Sequence, residues 1–232
     1  MAGKKRTWIL LAVAAVAVLA ALAAIFGPQL YAQSQGPAPA PLSVASTSSA
    51  PSGAASSPNA TEDGTWNVAS ASQAGYRIKE VLNGANVTVV GRTEKVTGSA
   101  TVSGTRLTKA RIDVDVASIA TDSGNRDNYF RGTVMKADTF PTAAFTLTSP
   151  VTIPALSSAP AAVEAKGTLE LAGQKRDVTA KLQVVRDGAK VSVSGTIDLV
   201  LADFGITPPD LGFVKVENTG SVEFLVNLEK AA

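Results

Sequence analysis

The side chains that carry most enzyme chemistry are scarce in this sequence. It contains no Cys and no His, so it offers no thiolate nucleophile, no disulfide framework, no imidazole base and no Cys-based metal site. Carboxylates and guanidiniums remain. Asp113, Asp115 and Asp198 are candidate acid–base groups, but each falls on the outward positions of an alternating strand, where a charged residue reads as a solvated face. Arg126 and Asp127 stand side by side at the head of a short predicted helix. No Gly-rich phosphate loop occurs. An enzyme is therefore not expected, and neither is a metal. The chemistry left to this chain is the burial of something apolar.

The elements that would position such a site centre on residues 111–147. RIDVDVASI alternates strictly, with Ile112, Val114 and Val116 on one face and Arg111, Asp113 and Asp115 on the other, the period of a half-buried antiparallel strand. TDSGNRDNYFRG follows. Asp122, Ser123 or Asn125 can cap the first amides, residues 126–131 give about two turns, and Gly132 suits a left-handed stop. Pro141 cannot donate to a ladder, so Phe140–Pro141–Thr142 belongs at a strand entrance. A short aromatic helix between long strands predicts a cover on one end of a barrel.

From Thr65 onward the chain reads as all-β. Strands are predicted at 65–68, 75–81, 86–92, 95–103, 105–116, 144–149, 163–171, 177–185, 190–199 and 220–228. Turn signals fall between them at Asn83–Gly84, Ser103–Gly104, Ala172–Gly173 and Asp187–Gly188. Many even, hairpin-linked strands with one apolar face fit a sandwich or a closed up-and-down antiparallel barrel. The few crossovers and the mid-chain helix favour the barrel.

Side-chain size then bears on function. Nine aromatics lie after residue 62, and five of them (Tyr129, Phe130, Phe140, Phe204 and Phe213) sit in two connecting segments rather than on strands. Inward strand positions are mostly Val, Leu, Ile, Ala and Gly. Modest walls with bulky residues at one end fit a barrel that holds a ligand, although Val and Leu can equally fill a solid core. The second connecting segment, 202–219, carries Phe204, Ile206, Leu211, Phe213 and Val214 around Pro208–Pro209. It is too apolar for a disordered loop, and reads either as a flap over the barrel mouth or as a plug.

Upstream of the barrel the composition changes twice. Lys4, Lys5 and Arg6 precede a charge-free run at 8–26, long enough to cross a membrane and longer than the apolar part of a cleaved leader. The basic flank predicts a cytoplasmic N-terminus and an exported domain. A secretory signal cut near Ala32 is the alternative. Residues 33–62 hold five Pro, eight Ser and seven Ala with no charge before Glu62, the composition of a disordered linker. With Lys4, Lys5 and Arg6 set aside, 18 basic residues face 19 acidic ones, a net −1 that gives no footprint for nucleic acid. The expected organisation is a membrane signal-anchor helix within 1–32, a linker at 33–62 and one β domain at 63–232.

Several segments, in order, resemble the YceI-like family of lipid-binding domains: GTW at 64–66, IDVDVASI followed by TDSGNRD, TFPTAAF at 139–145, GTLELAG at 167–173 and DFGI at 203–206. The resemblance covers roughly residues 64–228. It implies a lipocalin-like antiparallel barrel with a long apolar tunnel, and binding of a polyisoprenoid or similar long-chain lipid outside the cytoplasm. It also places the family's Arg–Asp pair at Arg126–Asp127, and its aromatic–Pro–Thr turn at Phe140–Pro141–Thr142. A His found early in many relatives is missing here. The expected ligand contacts are Ile112, Val114, Phe145, Leu169, Leu182, Ile197 and Phe224 on strands, with Tyr129, Phe130, Phe140, Phe204 and Phe213 from the connections. Arg126 and Asp127 are expected to hold the helix to the barrel rather than to meet a headgroup. The expected partners are an isoprenoid or other apolar lipid and the membrane, and no cofactor is expected beyond such a lipid or a quinone. A surface scaffold with a solid core is the alternative function.

Overall fold

The computed structural model describes residues 37–44 and 62–231. The run at 8–26, where a membrane helix is expected, lies outside them. Among the described residues no helix is long and apolar enough to cross a membrane.

The strands are β1 (Gly64–Val68), β2 (Gln73–Leu82), β3 (Ala85–Thr93), β4 (Val96–Ser103), β5 (Arg106–Asp115), β6 (Thr142–Leu147), β7 (Val151–Thr152), β8 (Ala161–Leu171), β9 (Gln174–Asp187), β10 (Lys190–Val200) and β11 (Val214–Lys230). All pairings are antiparallel. The order β1–β4–β5–β6–β8–β9–β10–β11 closes on itself because β11 also pairs with β1, with Trp66 opposite Lys230. The result is an eight-stranded barrel. It is a simple meander only from β4 onward. The β2–β3 hairpin is an excursion that pairs with the first part of β11, and β11 bends at a register shift between Val216 and Gly220. The outer edge of β3 is tied back to the turn after β5 by a bridge between Arg92 and Ala120 and by a 2.6 Å hydroxyl pair, Thr93–Ser118.

The turn signals hold. Asn83 and Gly84, and Ala172 and Gly173, all have positive φ, as a two-residue hairpin turn demands. The helix differs from its expected form. Helix α1 (Gly124–Tyr129) is capped by Ser123, whose hydroxyl accepts from the Arg126 amide, and continues as a wider π turn over Phe130–Val134. Gly132 lies inside that turn rather than ending it, and the left-handed stop falls on Lys136 at φ 49°. The wider turn carries Phe130 against β2, where its ring stacks on Tyr76 with centroids 4.9 Å apart. That contact clamps α1 over one end of the barrel.

Segment 202–219 also departs from expectation. Its start is a 3-10 turn, Leu201–Phe204, and its end is already β11, so only a short connector links them. Phe204 and Ile206 are buried with Val116, Met135 and Leu171 in one apolar cluster, which makes this half a plug. Phe213, by contrast, is 58 % exposed. It covers nothing.

Residues 37–44 belong to the tract with linker composition, yet they lie extended against the outer barrel wall, held at Arg77, Arg92 and Ser194.

Candidate lipid-binding cavity

The barrel is hollow. Its interior holds a cavity of about 600 Å³, within the roughly 300–1,000 Å³ of ordinary ligand pockets. A solid core, on which the scaffold reading relied, is not what the walls enclose. Of the lining residues only Glu62, Arg77, Glu80 and Arg126 are charged, and the Arg77 guanidinium turns to the outer wall, where it pairs with Glu223. The remainder are overwhelmingly aliphatic or aromatic.

Local packing explains why aromatic side chains do not fill the space. Gly195 of β10 sits directly opposite Phe224 of β11, and Gly91 of β3 directly opposite Tyr76 of β2. In each pair the ring occupies the place of the missing side chain: a Cβ on Gly195 would lie 2.8 Å from Phe224 Cζ, and one on Gly91 2.5 Å from Tyr76 Cε1. Phe145 covers Gly167 in the same way. The rings therefore lie along the wall, and the lumen stays open. Elsewhere the wall is thin, as where Ala100 faces Ala110 across β4 and β5.

The expected ligand contacts can now be placed. Ile112, Val114, Phe145, Leu169, Leu182, Ile197 and Phe224 line the cavity from the strands, and Tyr129, Phe130 and Phe213 from the connections. Phe140 and Phe204 do not. Phe140, beyond the π turn, covers Gly173, whereas Phe204 is consumed by the plug cluster. Arg126 and Asp127 diverge although they are neighbours. Asp127 turns away from the lumen and accepts from the Thr121 amide at 2.9 Å and its hydroxyl at 2.7 Å, pinning the loop before α1. Arg126 turns toward the cavity, 3.6 Å from Glu80 and 2.5 Å from Asp122.

Glu80 is the site residue that sequence reasoning passed over. It lies on the inward register of β2 with Tyr76, Ile78 and Leu82, and its side chain is 6 % exposed. A carboxylate interrupting an apolar alternation was the available signal. Burial pushes its carboxyl above the usual carboxylate range, partly opposed by the Arg126 guanidinium. Burial likewise raises the Tyr76 phenol, again against Arg126. Glu80, Arg126 and Tyr76 form a polar station in an otherwise apolar cavity, whose exposed rim includes Tyr129, Leu211 and Phe213 with Pro208 and Pro209. Among the described residues no group of His, Cys, Asp or Glu is arranged to hold a metal ion.

The barrel has counterparts among solved structures. A polyisoprenoid-binding domain from Saccharophagus degradans, described as implicated in plant cell wall breakdown, superposes with a TM-score of 0.58 at 18 % identity, covering 72 % of this chain and 98 % of that one. BcnA of Burkholderia cenocepacia gives 0.55 at 19 % identity, covering 67 % and 95 %. A YceI protein of Campylobacter jejuni gives 0.51 at 16 % identity, covering 61 % and 85 %. At such identities the likeness concerns the fold alone. A comparison with curated protein sequences finds no match. The sequence itself nevertheless matches the YceI-like domain over residues 66–228, which runs from the closing strand β1 to the end of the cavity wall in β11, and the chain accordingly belongs to the YceI-like domain family.

Proposed function

We propose that this protein binds an isoprenoid or similar long-chain lipid inside its barrel, and that it is a carrier or store rather than an enzyme. The cavity carries the proposal: about 600 Å³ of space with apolar walls and charge confined to four lining residues. Burying a methylene is worth about 0.8 kcal/mol, so three or four isoprene units would gain on the order of 10 kcal/mol gross. Loss of chain and rigid-body freedom takes back much of that gain. Such a site needs length and dryness, which the aromatic–glycine pairs provide. The polyisoprenoid ligand of the Saccharophagus degradans domain supports the same class.

In this reading the lipid tail fills the lumen, and a polar end group, where there is one, meets Glu80, Arg126 and Tyr76 near the exposed rim. The apolar run at 8–26 serves as a membrane anchor with its basic flank in the cytoplasm, so that the barrel works outside the cytoplasm close to its lipid source. The absence of His and Cys supports binding over catalysis.

The test compares the full chain with Ala110→Phe, which fills the lumen where β4 and β5 are lined by alanines. Both are purified in the same detergent and extracted with organic solvent for mass spectrometry. The proposal expects a prenyl or long-chain species that is enriched in the unaltered protein and depleted in the variant. Equal lipid in both, or none in either, would overturn it.

A further inference from the structure

Among the described residues Glu223 is the most deeply buried charged side chain, at 1 % exposure, and it is on the wrong side of the wall. Its neighbours Val222 and Phe224 face the cavity, so Glu223 points outward from β11. Two arginines reach it there. Arg77 donates through Nε at 2.9 Å, and Arg92 donates through Nε at 2.9 Å and Nη2 at 2.5 Å. Register explains how Arg92 can do so from two strands away: Glu223 is opposite Gly75, and Gly75 is opposite Arg92. With no side chain on Gly75, the Arg92 guanidinium crosses the gap. The cluster carries one surplus positive charge and has donors left over.

Those donors are taken by residues 37–44. Arg77 Nη2 donates to the Pro39 carbonyl at 2.7 Å and Arg92 Nη2 to the Ala40 carbonyl at 2.5 Å. At the other end the Val44 amide donates to Ser194 Oγ at 3.0 Å, with Val44 9 % and Ser194 3 % exposed. The lengths agree. From β3 to β10 are three strand spacings, about 14 Å, and Arg92 leans part of the way across. At the rise of a polyproline chain, the four steps from Ala40 to Val44 would span about 12 Å. A proline-rich segment also suits the chemistry, because its carbonyls have no internal partners and it loses little freedom on docking.

We infer that the outer wall over β3, β2, β11 and β10 is a recognition groove for an extended proline-rich peptide, and that its occupant is this chain's own segment 37–44. The consequence is a short leash. With the strap docked, the ten residues 27–36 reach at most about 35 Å between the apolar run and the barrel, whereas the undocked 27–62 would reach about 120 Å. The barrel is then held near residue 26 on one side, instead of ranging freely.

Hydrogen–deuterium exchange on the full chain in detergent micelles tests this, and no lipid ligand is involved. The Val44 amide is expected to exchange slower than an unstructured amide by about tenfold or more. Pro39→Gly/Pro41→Gly loosens the strap without touching the barrel, and is expected to return most of that protection while strand amides stay unchanged. Free-chain exchange at Val44 in the unaltered protein, or protection indifferent to the double substitution, would overturn the inference. A second measurement uses Val44→Cys/Ser194→Cys in a chain with no cysteine of its own. Mild oxidation is expected to give an internal disulfide on a monomer. A covalent dimer would seat the strap on another copy and overturn the assignment in cis.

Discussion

Phe224 lies face to face in register with Gly195 and takes the volume that a side chain there would need, which leaves a Cβ on Gly195 only 2.8 Å from the ring. The pair sets both the stability of the β10–β11 wall and the width of the lumen beside it. Gly195→Val is expected to press first on the Lys181 carbonyl of β9, 2.5 Å from the added Cβ, and then to drive the ring toward the cavity, at a cost of about 1–3 kcal/mol or more, the range for overpacking a filled site. Thermal denaturation should show the loss, and titration with an apolar fluorescent probe should show weaker uptake. Full stability with full uptake would mean that the ring does not shape the lumen.

Glu80 gives the protein a pH signature. Burial raises its carboxyl above the ordinary value, so the folded state holds this proton more tightly than the unfolded chain does. As pH rises past the ordinary glutamate value, the unfolded chain releases this proton while the folded chain still holds it. Stability contributed by this group therefore falls through that window and levels off above the raised value. Comparing Glu80→Gln with the unaltered protein isolates it: the two should unfold alike near pH 4, and the variant should be as stable or more so at neutral pH. A variant that loses stability at neutral pH would show instead that the ion pair with Arg126 outweighs the desolvation.

The neighbours Arg126 and Asp127 should separate by readout. Asp127→Ala removes a buried carboxylate and leaves the half-buried Thr121 amide without its acceptor, while the Thr121 hydroxyl keeps its contacts to Ser123, at about 1–3 kcal/mol in a denaturant titration. Arg126→Ala removes a partly exposed side chain and should cost less in stability. Its effect should appear in which polar end groups the cavity accepts. Equal destabilisation by both would return Arg126 to a purely structural role.

Phe213 and Leu211 stand exposed beside the mouth. Phe213→Ser should leave stability within about 0.5 kcal/mol, as for surface sites generally, and slow the loading of an apolar probe from vesicles. An unchanged loading rate would remove the rim from the entry path.

Much of the fold is legible because strand alternation and turn chemistry are local. Asn83–Gly84 and Ala172–Gly173 declare hairpins through the positive φ that Asn and Gly tolerate, and Ser123 declares the start of α1. The connections are less legible. In segment 202–219 the same apolar run supplies a plug residue, Phe204, an exposed rim residue, Phe213, and the first residues of β11. Composition is blind to which partner each one meets.

The sequence by itself determined an all-β domain, the inward face of most strands, the lack of thiol and imidazole chemistry, and the family. Tertiary structure alone decided that the sheet closes through β11 onto β1, that Glu80 and Arg126 meet in the lumen, and that Glu223 is buried on the outer wall beneath a proline-rich strap. The physical reason is that periodicity reports which face of a strand is apolar, while closure, cavity width and burial depend on what distant segments place opposite that face.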